Sequence, residues 1–351
     1  AARGPAGRAR AATSTPDSRA RDAHGQRTRF SPDGPVPVVD TLGVRRSPGG
    51  AGLTALLAAD GASVRLVAPF GDDDAGTELR ALLRPHLDVV ALPQVGTTRR
   101  KTRVRSGGQT VVRVDDGGPA RPGDLPERAA RAALAGADVV LVSDYGAGTT
   151  HAGPVRDALA HAARTGTLVW DPHPRGGAPV PGTALVTPNL AEALDAAEAL
   201  GVDATPDDPG GLARSLAAAW DVGAVCVTAG DRGAFVARAD GEPAYVPATV
   251  AHGDPCGAGD RFASTVAVAL ARGEGLVPAV VAAVASASAG VAAGGAAGYP
   301  GPAAGPAGAV GPPLPPRPAP RGPRRAGAGA GLPARAGARP PGGGRGRAAL
   351  P

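Results

Sequence analysis

Five short apolar runs, at 64–68, 138–143, 167–171, 184–187 and 224–228, recur along the chain with Ala- and Leu-rich stretches between them. The intervening stretches at 153–165, 190–200 and 211–220 have helical composition and length. Strands that alternate with helices in this way predict a mostly parallel sheet with helices on both faces, an α/β sandwich. At 351 residues the chain can bury a sizeable core as one large domain or two small ones.

One segment breaks the rhythm. Residues 99–106 and 109–115 are β-rich and joined by Gly107-Gly108, a two-residue hairpin signal. This hairpin, within about 96–116, reads as a lid or a dimer-forming flap, which a strand at 36–39 would extend. A strict two-residue turn puts Lys101 and Arg103 on the opposite face from Arg113 and Asp115, so the two sets would serve different partners.

The ends differ from the middle. Residues 1–28 are Arg-rich, with no two adjacent large apolar side chains at 11–27, and read as disordered or aberrant. From residue 299 the sequence collapses into Pro, Gly, Ala and Arg, which predicts a disordered tail and leaves 29–298 as the folded unit. Of the net charge of +6, residues 1–30 contribute +5 and 301–351 contribute +8, so 31–300 carries −7. A nucleic-acid surface on the folded part is therefore not expected. Two cysteines, Cys226 and Cys256, are too few for a disulfide framework. No apolar run is long enough to span a bilayer, and a cytoplasmic protein is expected.

The strongest chemical signal is Asp254-Pro255-Cys256-Gly257-Ala258-Gly259-Asp260 ahead of a helical run. Small residues leave backbone N–H groups of Gly257, Ala258 and Gly259 to converge on an anion, and the helix start adds partial positive charge. Asp260, in the same turn, is placed to take a proton from an attacking hydroxyl, which is what phosphoryl transfer requires. Asn189 and Glu192 open a helix after a strand; they either hold a hydrated Mg²⁺, through water, or simply start the helix. Ser47-Pro48-Gly49-Gly50-Ala51 precedes a helix, Ser143-Asp144-Tyr145-Gly146 and Asp171-Pro172 end strands, and Thr228-Ala229-Gly230-Asp231-Arg232-Gly233 shapes either a nucleotide pocket or a turn.

The order of these pieces resembles the ribokinase-like (PfkB) carbohydrate kinases over residues 29–294. Within that superfamily, Arg29 to Val38, Lys101-Thr102-Arg103-Val104, Gln109 to Asp115 and Ser143-Asp144-Tyr145-Gly146 are similar to the D-glycero-β-D-manno-heptose-7-phosphate kinases, the kinase half of a bifunctional enzyme. The resemblance implies a ribokinase-like three-layer sandwich and ATP-dependent phosphorylation of the sugar's C1 hydroxyl to the 1,7-bisphosphate. Asp260 would be the base, and Asn189, Glu192, Thr228, Gly230, Gly233 and Asp254 would organise ATP and Mg²⁺. Gly49, Gly50, Asp144, Lys101 and Arg103 would meet the substrate, the two cations through its 7-phosphate. The alternatives are another sugar kinase of this superfamily or a catalytically impaired binding module. The chain departs from the family pattern at Ala20, Leu53, Ala147 and Gly295, where Asp, Asn, Lys and Lys are expected.

Overall fold

The computed structural model describes residues 8–13, 19–32, 34, 36–107, 109–118, 120–151 and 153–299. In chain order the strands and helices run β1 (Arg8–Thr13), β2 (Arg19–Phe30), β3 (Pro37–Ser47), α1 (Gly50–Ala59), β4 (Ser63–Pro69), α2 (Asp74–Leu83), β5 (Asp88–Leu92), β6 (Gln94–Val95), β7 (Arg100–Ser106), β8 (Gln109–Asp116) and β9 (Arg121–Pro122). They continue with α3 (Glu127–Leu134), β10 (Val139–Ser143), α4 (Gly153–Thr165), β11 (Thr167–Asp171), β12 (Leu185–Val186), α5 (Leu190–Leu200), α6 (Pro209–Ala219), β13 (Val225–Thr228), β14 (Ala234–Ala237), β15 (Ala244–Val246), α7 (Ala258–Ala271), α8 (Leu276–Ala292) and α9 (Gly295–Gly298).

Nine strands form the main sheet in the order β15-β14-β13-β12-β11-β10-β1-β4-β5. All neighbours are parallel except β13–β14 and β14–β15. The pleat sorts side chains onto two faces. Val140, Val142, Leu168 and Trp170 join one core with residues of α3 to α6, whereas Val139, Leu141 and Val169 join a second with α7 and α8. Leu53, Leu56, Leu66 and Leu79 build a third cluster under α1 and α2. The result is the expected three-layer sandwich, and the five apolar runs are β4, β10, β11, β12 and β13.

The amino-terminal expectation is overturned for the described part. β1 lies at the centre of the main sheet, with Ala9 to Thr13 in register with Val139 to Ser143 and Arg8 to Ala12 in register with Ser63 to Val67. β2 belongs to a second sheet. Backbone donors and acceptors pair whatever the side chain, and a gap between two parallel edges offers a strand partners on both sides. Arg8-Ala9-Arg10-Ala11-Ala12-Thr13 alternates with the period of a strand but holds no large apolar residue, so an apolar search passes over it. Residues 1–7 and 14–18, and the tail from residue 300, lie outside the described residues.

The flap is also larger than the hairpin alone. It is a four-stranded sheet in the order β3-β2-β7-β8, with β2–β7 parallel and the outer pairs antiparallel. Its register corrects the expected facing. A bulge between Val104 and Arg105 advances the pairing by one residue, so Lys101 sits across from Asp115 and Arg103 across from Arg113, on the same face. Among the described residues, no helix is long and apolar enough to cross a membrane.

Candidate active site

The loop before α7 is held by close backbone packing. Asp254 Oδ1 accepts from the Cys256 N–H at 3.0 Å, and Ala296 N–H donates to the Cys256 carbonyl at 2.7 Å. A Cβ on Gly295 would overlap the carbonyls of Asp254 and Cys256, so the backbone approaches here as closely as only glycine allows. Gly257 takes φ +82, a conformation glycine adopts without strain, and turns the chain into α7.

The first-turn amides of a helix lack intrahelical acceptors. The Ala258 N–H is nonetheless occupied, because it donates to the Pro255 carbonyl at 3.0 Å. Tightening of the loop into a turn claims this hydrogen, at one of the three positions where an anion-binding donor is expected. Among the described residues, the N–H groups of Gly257 and Gly259 carry no such bond, and the space beside Gly259 is open.

Asp260 is the third residue of α7 and is half-buried. Its Oδ1 accepts two hydroxyl hydrogen bonds, from Thr54 of α1 at 2.6 Å and from Tyr145 after β10. Loss of water raises the Asp260 carboxyl above its ordinary range, and the two hydroxyls oppose that rise. Gly50 lies flat against the Tyr145 ring, where any Cβ would overlap it, so glycine here admits the tyrosine to the site. Gly49 is the N-cap of α1.

Asp171, at the end of β11, accepts from the Thr187 hydroxyl at 2.9 Å. Burial, and after it the nearby Asp260 charge, hold its carboxyl well above the usual range. Asp144 is buried, and both its oxygens are engaged inside the protein. Oδ1 accepts from Gly146 N–H at 2.8 Å, and Oδ2 from the Thr150 hydroxyl at 2.6 Å and Gly177 N–H at 3.2 Å. This carboxylate ties the 144–150 loop to Gly177 through these bonds.

Asn189 and Glu192 form a capping box at the start of α5. Asn189 Oδ1 accepts from the Glu192 N–H and Glu192 Oε2 from the Asn189 N–H, each at 3.0 Å. A parallel bridge joins Asn189 to Thr228, so these two predicted residues do meet. Next to them a cavity of about 330 Å³ opens between the β13–β14 hairpin, α7 and α8. Thr228, Gly230, Gly233, Ala258, Gly259 and Phe262 line it. Thr228, Gly230, Gly233, Ala258 and Gly259 are among the residues singled out in the sequence, and Gly259 places the cavity next to Asp260.

Lys101 and Arg103 stand on β7, both partly buried, with Arg103 Nη1 3.9 Å from Asp22 Oδ1. The Cys256 thiol is pushed up by loss of water and by the Asp254 carboxylate, and the flap cation Arg103 partly offsets this. Sequence reasoning missed Thr54 altogether and did not single out Tyr145 or Asp171 as site residues. For Tyr145 and Asp171 the available signal was their position at strand ends.

Residues 22–302 match the model of the pfkB family carbohydrate kinases. The chain is 49% identical over 278 residues to the bifunctional protein HldE of Streptomyces coelicolor, an alignment covering 75% of this chain and 57% of that protein. The chain spans little more than half the length of the curated relatives it matches. Among solved structures, a ribokinase from Thermotoga maritima superposes with a TM-score of 0.59 at 19% identity, covering 83% of this chain and 96% of that one. A ribokinase from Cryptococcus neoformans in complex with ADP gives 0.57 at 18%, covering 82% and 95%.

Proposed function

Because the chain belongs to the pfkB family of carbohydrate kinases, we propose that it transfers the γ-phosphoryl group of ATP to the C1 hydroxyl of D-glycero-β-D-manno-heptose 7-phosphate. The observation that carries the reaction is Asp260, a carboxylate in the first turn of α7, beside the cavity that Gly259 lines. The C1 hydroxyl gives its proton to Asp260 as its oxygen attacks the γ-phosphorus. The bond from γ-phosphorus to the β–γ bridging oxygen breaks, and ADP leaves with that electron pair. N–H groups of Gly257 and Gly259 and the start of α7 face the charge that builds on the transferring group.

ATP fits the cavity between the β13–β14 hairpin and α8, whose glycine-rich lining admits phosphates to the backbone. Asn189 and Glu192 would hold Mg²⁺ through water: the capping box takes Glu192 Oε2 and Asn189 Oδ1 and leaves Glu192 Oε1 outside it. When bound, the ion would neutralise phosphate charge. Lys101 and Arg103 receive the 7-phosphate, supported by their shared face on β7 and the effect of Arg103 on the Cys256 thiol. The outer face of the flap exposes Val112 and Val114, which supports contact with a second copy of the chain, and a purely monomeric sedimentation profile would remove that reading.

The heptose reading is tested by Lys101→Ala and Arg103→Ala. Each removes a charge-assisted contact to a group that does not react, so KM for the sugar phosphate should rise about 10- to 100-fold with KM for ATP little changed. Equal rises in both constants would make the pair part of the flap's packing.

A further inference from the structure

We propose that Thr54 and Tyr145 clamp the Asp260 carboxylate by Oδ1, so that Oδ2 is the oxygen that takes the sugar's proton. The inference rests on reading Asp260 as the base and deepens it. Two donors from different elements converge on one oxygen, Thr54 from α1 at 2.6 Å and Tyr145 from the end of β10. A carboxylate oxygen that accepts two hydroxyls has little capacity left for a third hydrogen, whereas its partner oxygen keeps its own. Ser143 Oγ, 3.3 Å from the Thr54 hydroxyl, can donate to it while Thr54 gives its own hydrogen to Asp260. The backbone is shaped for this arrangement, since Gly50 leaves the space that the Tyr145 ring fills.

The clamp has a second effect. The titratable groups facing Asp260 are Asp171 from the end of β11, Cys256 from the loop before α7, and Tyr145 itself. None of them is a cation. Burial and the absence of a cation among these groups would favour a protonated, inert Asp260, and the two hydroxyl donors favour the ionised form that acts as a base. Tyr145 stays protonated, because burial and the Asp260 charge raise its hydroxyl well above the ordinary tyrosine range, so it remains a donor at working pH. Thr54 and Tyr145 are therefore positioning residues that act through Asp260.

The test is the pH dependence of kcat/KM for the sugar in the full chain and in Tyr145→Phe, Thr54→Val, Thr54→Ser and Asp260→Asn. Donors to the ionised carboxylate lower its pKa, so their loss should move the acid limb to higher pH, by about one to two units for each donor. Activity should recover at alkaline pH, where Asp260 is ionised without help, and Thr54→Ser should keep the original profile. An acid limb that stays in place in a folded, ATP-binding Tyr145→Phe or Thr54→Val chain overturns the clamp. Should Tyr145→Phe fail to fold, Thr54→Val and Thr54→Ser decide between the same two results. If Asp260→Asn keeps its activity, the reading of the base fails instead, so the two failures are distinguishable.

Discussion

Asp260→Asn should lower kcat about 10²- to 10⁴-fold and leave the affinity for ATP nearly unchanged. The carboxamide has the shape of the carboxylate, and its oxygen can still accept from Thr54 and Tyr145, so α1, α7 and the loop after β10 keep their places. What it lacks is an oxygen basic enough to take the sugar's proton. ATP affinity should persist because the cavity lining of Thr228, Gly230, Gly233 and Gly259 is untouched. The check is ADP release at saturating substrates together with a calorimetric Kd for ATP. Turnover near that of the parent chain would mean that the proton leaves by another route.

The second large effect concerns stability. Ala11→Pro should prevent the chain from reaching its native sheet or lower its melting temperature sharply. Ala11 is paired on both sides, to Leu141 of β10 and Leu66 of β4. Proline cannot donate to a ladder, and in sheets it is confined to edges, strand starts and bulges. The acceptor it orphans is central and costs about 1–3 kcal/mol, before any displacement of β10, which carries Ser143 into the site. Thermal unfolding followed by circular dichroism measures this. An unchanged melting temperature would show that β1 contributes nothing to the sheet.

The legible part of the fold was the part that buries large side chains. β10, β11 and β13 are continuous apolar runs because helices cover both faces, and such runs are visible in the chain. β1 was hidden because main-chain pairing leaves no mark on residue type. The flap register was hidden for a related reason: no residue type marks the bulge that moves Arg103 from Val112 to Arg113. At the site, the glycine loop and Asn189–Glu192 were readable as local patterns, and the capping box occupies the residues that local pattern names. Thr54 was not readable. It sits inside an Ala- and Leu-rich helix, and its role exists only when residues 206 positions apart in sequence are brought together. The loop bonds of Asp144 were not readable either, because a carboxylate at a strand end has the same sequence signature whether or not it ties down its own loop.

We propose that this chain moves phosphate from ATP to the anomeric oxygen of a phosphorylated heptose. The most direct measurement is phosphorus NMR of the purified chain incubated with Mg-ATP and D-glycero-β-D-manno-heptose 7-phosphate, run beside the same heptose without its phosphate. A new resonance from phosphate on C1 should grow, matched one for one by ADP, with the unphosphorylated heptose reacting poorly. Phosphate on any other oxygen, or equal turnover of both heptoses, would contradict it.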